Sequence, residues 1–258
     1  MKKIKIGVIG LGLIGGSVYK SLKIIGKYDL IGISRTVKGD NIYNDYKFLS
    51  DCDVVFVCVP MNKTLDILDK LENYLSENSI VTDVCSLKRF VSKKKYLYKF
   101  IPSHPMAGTE NSGWDASFPD LFKGAKWMIT PLNGVVLPEQ EVLENIIEDM
   151  GAKVVITSPE EHDRAAALIS HMPMIVAQAL CQNIKDNSIA QIMASSGFKD
   201  TSRLALSNTE MAEDMVLMNR DNIDDAVNSL KNNINVLLNG NYKEDADKIR
   251  NFRKNLYD

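Results

Sequence analysis

A doubly wound parallel α/β domain followed by an all-helical domain is the architecture this sequence predicts. Three observations carry the prediction. Apolar runs of strand length alternate with helical periodicity up to about residue 156. Ten residues spanning the first strand, turn and helix hold Gly7, Gly10, Gly12, Gly15 and Gly16, a third of the chain's 15 glycines. Beyond that region the pattern is helical to the end, without repeats or low-complexity tracts. The expected domains are therefore 1–156 and 157–258.

Taken in order, residues 3–9 read as a strand, 14–25 as a helix and 29–34 as a second short strand. Residues 54–59 form an unbroken apolar run closed by Pro60, which suits a parallel strand covered on both faces. Leu65, Leu68, Leu71 and Leu75 recur at three- and four-residue steps, giving a helix over 63–75. Residues 80–83, 99–102 and 126–130 are further strands. Ser158-Pro159-Glu160-Glu161 starts a helix: serine caps, proline fits the first turn and Glu161 completes a capping box. Residues 221–238 carry Ile223, Val227, Leu230, Ile234 and Leu237 as one apolar stripe.

Composition narrows the function classes. The 258 residues are 45% hydrophobic and 25% charged, an ordinary globular mixture. Against 31 Lys and Arg stand 33 Asp and Glu, so nothing electrostatic points to a nucleic-acid partner. The N-terminus imitates a secretory signal, but Lys5 and the glycines break the apolar run. No stretch approaches ~18 uninterrupted apolar residues, so no membrane span is expected. Cys52, Cys58, Cys85 and Cys181 are scattered without a CxxC, which predicts a reduced cytoplasmic chain with no metal site.

The glycine cluster matches GxGxxG at Gly10-Leu11-Gly12-Leu13-Ile14-Gly15, between a predicted strand and a predicted helix. The first glycine permits a tight turn, the second lets a pyrophosphate approach the backbone, and the third lets helix and strand pack closely. Gly10, Gly12, Leu13, Ile14 and Gly15 are thus candidate dinucleotide-binding residues. The second strand ends in Ser34-Arg35-Thr36, where an NAD site usually places an acid for the ribose hydroxyls. Arg35 can pair with a 2′-phosphate, flanked by two hydroxyls, so NADP is favoured over NAD. The competing reading leaves Arg35 solvated and gives the ribose to Asp40.

Of three histidines, His104 lies in Pro102-Ser103-His104-Pro105-Met106-Ala107-Gly108-Thr109-Glu110, at the start of an expected loop of about twenty residues after a strand. A histidine at that sheet edge can exchange protons near neutral pH. Asp83-Val84-Cys85-Ser86-Leu87-Lys88 occupies the matching edge after another strand, where Ser86 can orient an imidazole or cap a following helix. Residues 88–99 hold six Lys or Arg and no acid, which reads as a solvated face.

These segments, with Glu161-His162-Asp163-Arg164 and Ser170-His171-Met172-Pro173, resemble the prephenate/arogenate dehydrogenase family of tyrosine biosynthesis in order from about residue 4 to about 205. The resemblance implies a Rossmann-type domain and a helical domain that forms a homodimer. It implies hydride transfer from the ring carbinol of a cyclohexadiene dicarboxylate to NAD or NADP, with loss of CO2 and aromatisation. On that basis His104 accepts the hydroxyl proton and Ser86 bonds the hydroxyl or the imidazole. His171 and Arg203 bind the substrate carboxylates, and Asp200, with Glu110, positions Arg203 or gates entry. His171 has a competing reading as a satisfied core residue. His162 receives no role and is expected at the surface of the first turn.

Three departures from the family pattern stand out. The segment between the second strand and Val54 is short enough to have lost a helix. Ser196-Gly197 replaces a glycine pair, and Ala212 stands where some members have an aromatic. Neither an appended regulatory domain nor a fused mutase is expected. The alternatives to a prephenate dehydrogenase are an arogenate dehydrogenase, a β-hydroxyacid dehydrogenase and a non-catalytic nucleotide sensor.

Overall fold

The computed structural model describes residues 3–109 and 111–256. They pack as two compact units, one of Met1–Ala166 with Leu206–Met218, the other of Ala167–Ala205 with Asn219–Asp258.

The first unit is built on β1 (Lys5–Ile9), β2 (Asp29–Ile33), β3 (Ile42–Tyr43), β4 (Val54–Val57), β5 (Ile80–Asp83) and β6 (Lys99–Phe100). All neighbours run parallel, in the order β3-β2-β1-β4-β5-β6 of a dinucleotide-binding sheet. The apolar run of β4 serves both faces. Val54 and Phe56 join Ile6 and Val8 in one core, while Val55 and Val57 join Ile9 and Ile31 in the other. The first core is covered by Val18 and Leu22 of α1 (Leu13–Ile25) and by Leu143, Ile146 and Ile147 of α3 (Gln140–Asp149). The second is covered by Leu68 and Leu71 of α2 (Met61–Leu71).

As expected, no α-helix joins β2 to β4. A two-residue strand and a 3-10 turn, Tyr46–Leu49, fill the segment instead. One feature differs from the expected single sheet. β7 (Ser103–Pro105), β8 (Lys126–Ile129) and β9 (Lys153–Ile156) form a second sheet, β7 antiparallel and β9 parallel to β8. His104 therefore sits on a strand opposite Met128, not at the start of a loop. A three-residue strand that follows Pro102 and ends on Pro105 gives no alternation to read.

The chain enters α4 (Pro159–Ala166) with the Glu161 N–H donating to Ser158 Oγ at 3.1 Å, as the capping pattern predicts. Later it returns to this unit as α8 (Thr209–Met218), where Met215 packs on Met61, Cys85 and Leu87. Ala212, at the position of the missing aromatic, is buried there.

The second unit contains a π-helical turn Ala167–His171, α5 (Met172–Ile184), α6 (Ser188–Met193), α7 (Ser196–Thr201), α9 (Arg220–Asn239) and α10 (Tyr242–Asn255). Pro173 lacks the N–H that would bond four residues back, which accounts for the π-turn just before it. The predicted stripe on α9 is only partly internal. Ile223 is buried, Val227, Leu230 and Leu237 are half-buried, and Ile234 is exposed in the single chain, as are Val236 and Leu238 beside the stripe. One helix, Pro159–Ile184, is long and apolar enough to cross a membrane by length and composition only. It opens on Glu160, Glu161, His162, Asp163 and Arg164, of which His162 and Asp163 are buried.

Candidate active site

The glycine turn has the shape its sequence requires. Gly10 has φ +85°, and a Cβ there would lie 2.3 Å from the Cys58 carbonyl oxygen. A Cβ on Gly15 would lie 2.1 Å from the Gly10 oxygen, so helix and strand meet without side chains between them. Gly12 instead faces open space and caps α1 with no side-chain bond to the first N–H groups. Those N–H groups and the helix dipole form an anion cradle, so the residues present fit a dinucleotide pyrophosphate. At the end of β2, Ser34 Oγ accepts the N–H groups of Thr36 and Val37 at 3.3 and 3.0 Å. That turn leaves Arg35 and Thr36 exposed.

His104 is held by its neighbours in the chain. Ser103 donates its N–H to Asp83 Oδ1 at 3.3 Å and its hydroxyl to the Asp83 carbonyl at 2.9 Å. Trp127 Nε1 donates to the same hydroxyl at 2.9 Å. Lys88 Nζ reaches both Asp83 Oδ2 and the Ser103 carbonyl, and the Lys88 and Asp83 side chains are fully buried. Lys88 thus leaves the solvated basic run to which the sequence assigned it, while Lys93, Lys94 and Lys95 remain exposed. A buried pair of this kind is costly to desolvate, and here extra hydrogen bonds offset that cost.

The imidazole itself meets a residue that sequence reasoning passed over. His104 Nδ1 lies 2.9 Å from His162 Nε2, and His162 Nδ1 lies 2.8 Å from Asp163 Oδ1. His162 is only 4% exposed, not a surface residue. Its charged neighbours in the sequence suggested a solvated turn, although the adjacent His-Asp pair was the available signal. Asp163 also accepts the backbone N–H groups of Lys88 and Arg89 at 2.7 and 3.0 Å.

Ser86 is half-buried in the loop after β5 and makes no side-chain hydrogen bond to His104. No helix begins there for it to cap, since only a 3-10 turn follows at Val91–Lys93. Burial pushes the Cys58 and Cys85 thiols up, so neither is poised as a nucleophile.

In the second unit His171 is 1% exposed, and its Nδ1 lies 3.2 Å from Asn219 Nδ2. Asn222 donates to Asn219 Oδ1 at 2.8 Å, so the Asn219 amide presents its N–H to His171. The His171 proton then resides on Nε2, as a donor suited to a carboxylate. Arg203 and Asp200 are both exposed, and no ion pair joins them among the described residues. Glu110 lies outside the described residues. No group of three or more His, Cys, Asp or Glu able to hold a metal occurs among the described residues.

Comparison with known proteins gives the chain its relatives. Residues 33–156 match the family model described as prephenate dehydrogenase, nucleotide-binding domain. Residues 158–255 match prephenate dehydrogenase, dimerization domain. A prephenate dehydrogenase of Bacillus subtilis is 30% identical over 96% of this chain and 73% of its own. A crystal structure of the A. aeolicus prephenate dehydrogenase with hydroxyphenyl propionate and NAD+ superposes with a TM-score of 0.84 at 28% identity. That match covers 100% of this chain and 97% of the other. A Synechocystis arogenate dehydrogenase gives 0.80 at 33% identity over 97% and 96% of the two chains. The chain belongs to the prephenate dehydrogenase family.

Proposed function

We propose that this chain catalyses the NAD(P)-dependent oxidative decarboxylation of prephenate, with arogenate as the alternative substrate. The observation that carries the reading is the clamped His104. Its backbone is fixed through Ser103 by Asp83 and Lys88, and its ring is fixed by His162. An imidazole held on both sides can take a proton at one defined place.

The bound dinucleotide supplies the hydride acceptor. As the hydride leaves the ring carbinol carbon, the electron pair of the ring–carboxylate bond enters the ring and CO2 departs. His104 draws the hydroxyl proton as charge develops on that oxygen and returns it to the phenol. Aromatisation drives the reaction, so the protein's task is to orient the ring and handle the proton. His171, with its donor Nε2, and the exposed guanidinium of Arg203 serve the two carboxylates; Asp200 and Glu110 are assigned to that region. Ser86 serves the substrate hydroxyl, since it does not bond the imidazole.

Gly10, Gly12, Leu13, Ile14 and Gly15 hold the pyrophosphate, and Ser34, Arg35 and Thr36 favour NADP through the 2′-phosphate. The test pairs prephenate or arogenate with NAD or NADP and follows nicotinamide absorbance. Reduction with a cyclohexadienyl substrate is expected, faster with NADP. No reduction with either substrate would overturn the reading, and a preference for NAD would remove the role of Arg35.

A further inference from the structure

We propose that His162 and Asp163 are positioning residues that fix the tautomer of His104, so that Nε2 of His104 is the nitrogen that takes the substrate proton. The proposal rests on the dehydrogenase reading above.

The hydrogen-bond sequence has a direction. Asp163 receives the N–H groups of Lys88 and Arg89 on its two oxygens, and Arg89 Nε lies 3.4 Å from Oδ2. A carboxylate so surrounded by donors is an acceptor towards His162 as well. His162 Nδ1, 2.8 Å away, therefore carries the ring proton. A neutral imidazole has one donor and one acceptor nitrogen, so His162 Nε2 accepts. The atom facing it at 2.9 Å is His104 Nδ1, which must donate. The His104 proton is thereby placed on Nδ1, and the lone pair is placed on Nε2. The opposite neutral assignment would set a His162 lone pair against the carboxylate at 2.8 Å. A charged His162 would donate from both nitrogens and turn His104 into the tautomer that cannot act as a base.

Rigidity supports the same role. Asp163 is anchored by the backbone of residues 88 and 89, immediately beside the buried Lys88–Asp83 pair that fixes Ser103. One small network therefore sets both the place of the His104 backbone and the proton of its ring. This is the logic by which a buried carboxylate orients a catalytic histidine in hydrolases, here extended through a second imidazole.

Two measurements test it. In the ligand-free protein, long-range 1H–15N correlation of the three histidines reports each tautomer directly. His104, assigned through bonds, should carry its proton on Nδ1 at neutral pH; an Nε2–H form would overturn the proposal. In turnover, His162→Phe should lower kcat about 10²-fold with KM changed less than about threefold. His162→Gln should recover to within about tenfold of the parent, because its amide oxygen accepts from His104 while its NH2 donates to Asp163. A merely structural role predicts no rescue by glutamine over phenylalanine, and an unchanged kcat in His162→Phe would contradict the proposal. The tautomer is read without substrate, so inactivity of the parent protein would count against the dehydrogenase reading and leave this one separately decided.

Discussion

Lys88 illustrates how much a single residue can carry. Its ammonium is buried between the Asp83 carboxylate and the Ser103 carbonyl, one residue before His104. Lys88→Met would leave Asp83 charged and without its cation, a loss of about 3–5 kcal/mol. Urea unfolding should show that loss, and Lys88→Met with Asp83→Asn should recover part of it. An equal loss in the double variant would mean that the site needs lysine for packing and not for charge. The sequence placed Lys88 at the end of one family-like segment and the head of a basic run, and His162 among four polar residues in a helix start, with no role for either. Beside a near partner each has a distant one, Ser103 15 positions from Lys88 and His104 58 positions from His162, and no local pattern reports those.

At the scale of elements, helix ends and strand ends do the joining. Asp149 closes α3, and Tyr28 Oη and Lys27 Nζ donate to it at 2.6 and 2.8 Å just before β2. Partial burial raises the Asp149 carboxyl, but the bonds from Lys27 and Tyr28 outweigh it and hold the group below its ordinary value. A depressed folded-state value stabilises the fold above the ordinary carboxylate pKa of ~4 and loses that contribution as pH falls through the folded value. Asp149→Asn should therefore cost about 1 kcal/mol at pH 7, and the gap to the parent should close on acidification towards pH 3. A gap that persists in acid would assign the effect to packing.

The core strands were legible because β1, β4 and β5 alternate between two buried faces, so apolar runs alone reveal them. The second sheet was only partly legible. β8 shows as an apolar segment, but β7 is three residues long and β9 leaves Lys153 and Ile156 exposed, so neither carries a period. The return of α8 to the first unit was not legible either, since helical periodicity does not say which core a helix joins.

At the scale of the molecule, the second unit exposes apolar surface that a single chain does not use. Ile192, Leu238 and Phe252 are each more than two-thirds exposed. The family model matched there is described as a dimerization domain, and an apolar face of this kind suits a core shared with a second copy. Val236→Asp with Leu238→Asp should convert a two-chain species to a monomer in sedimentation equilibrium, and a parent that sediments as a monomer would contradict the shared core. The same two-unit plan divides the proposed site residues. Ser86, His104 and the glycine turn belong to one unit, and His171, Asp200 and Arg203 to the other.

The central claim is that His104 is the base of a decarboxylating dehydrogenase. Its most direct test is kcat for prephenate in the parent and in His104→Asn, with saturating cofactor. A fall in kcat of about 10²–10⁴ with KM nearly unchanged is the predicted result. An active parent whose kcat survives that substitution would contradict it.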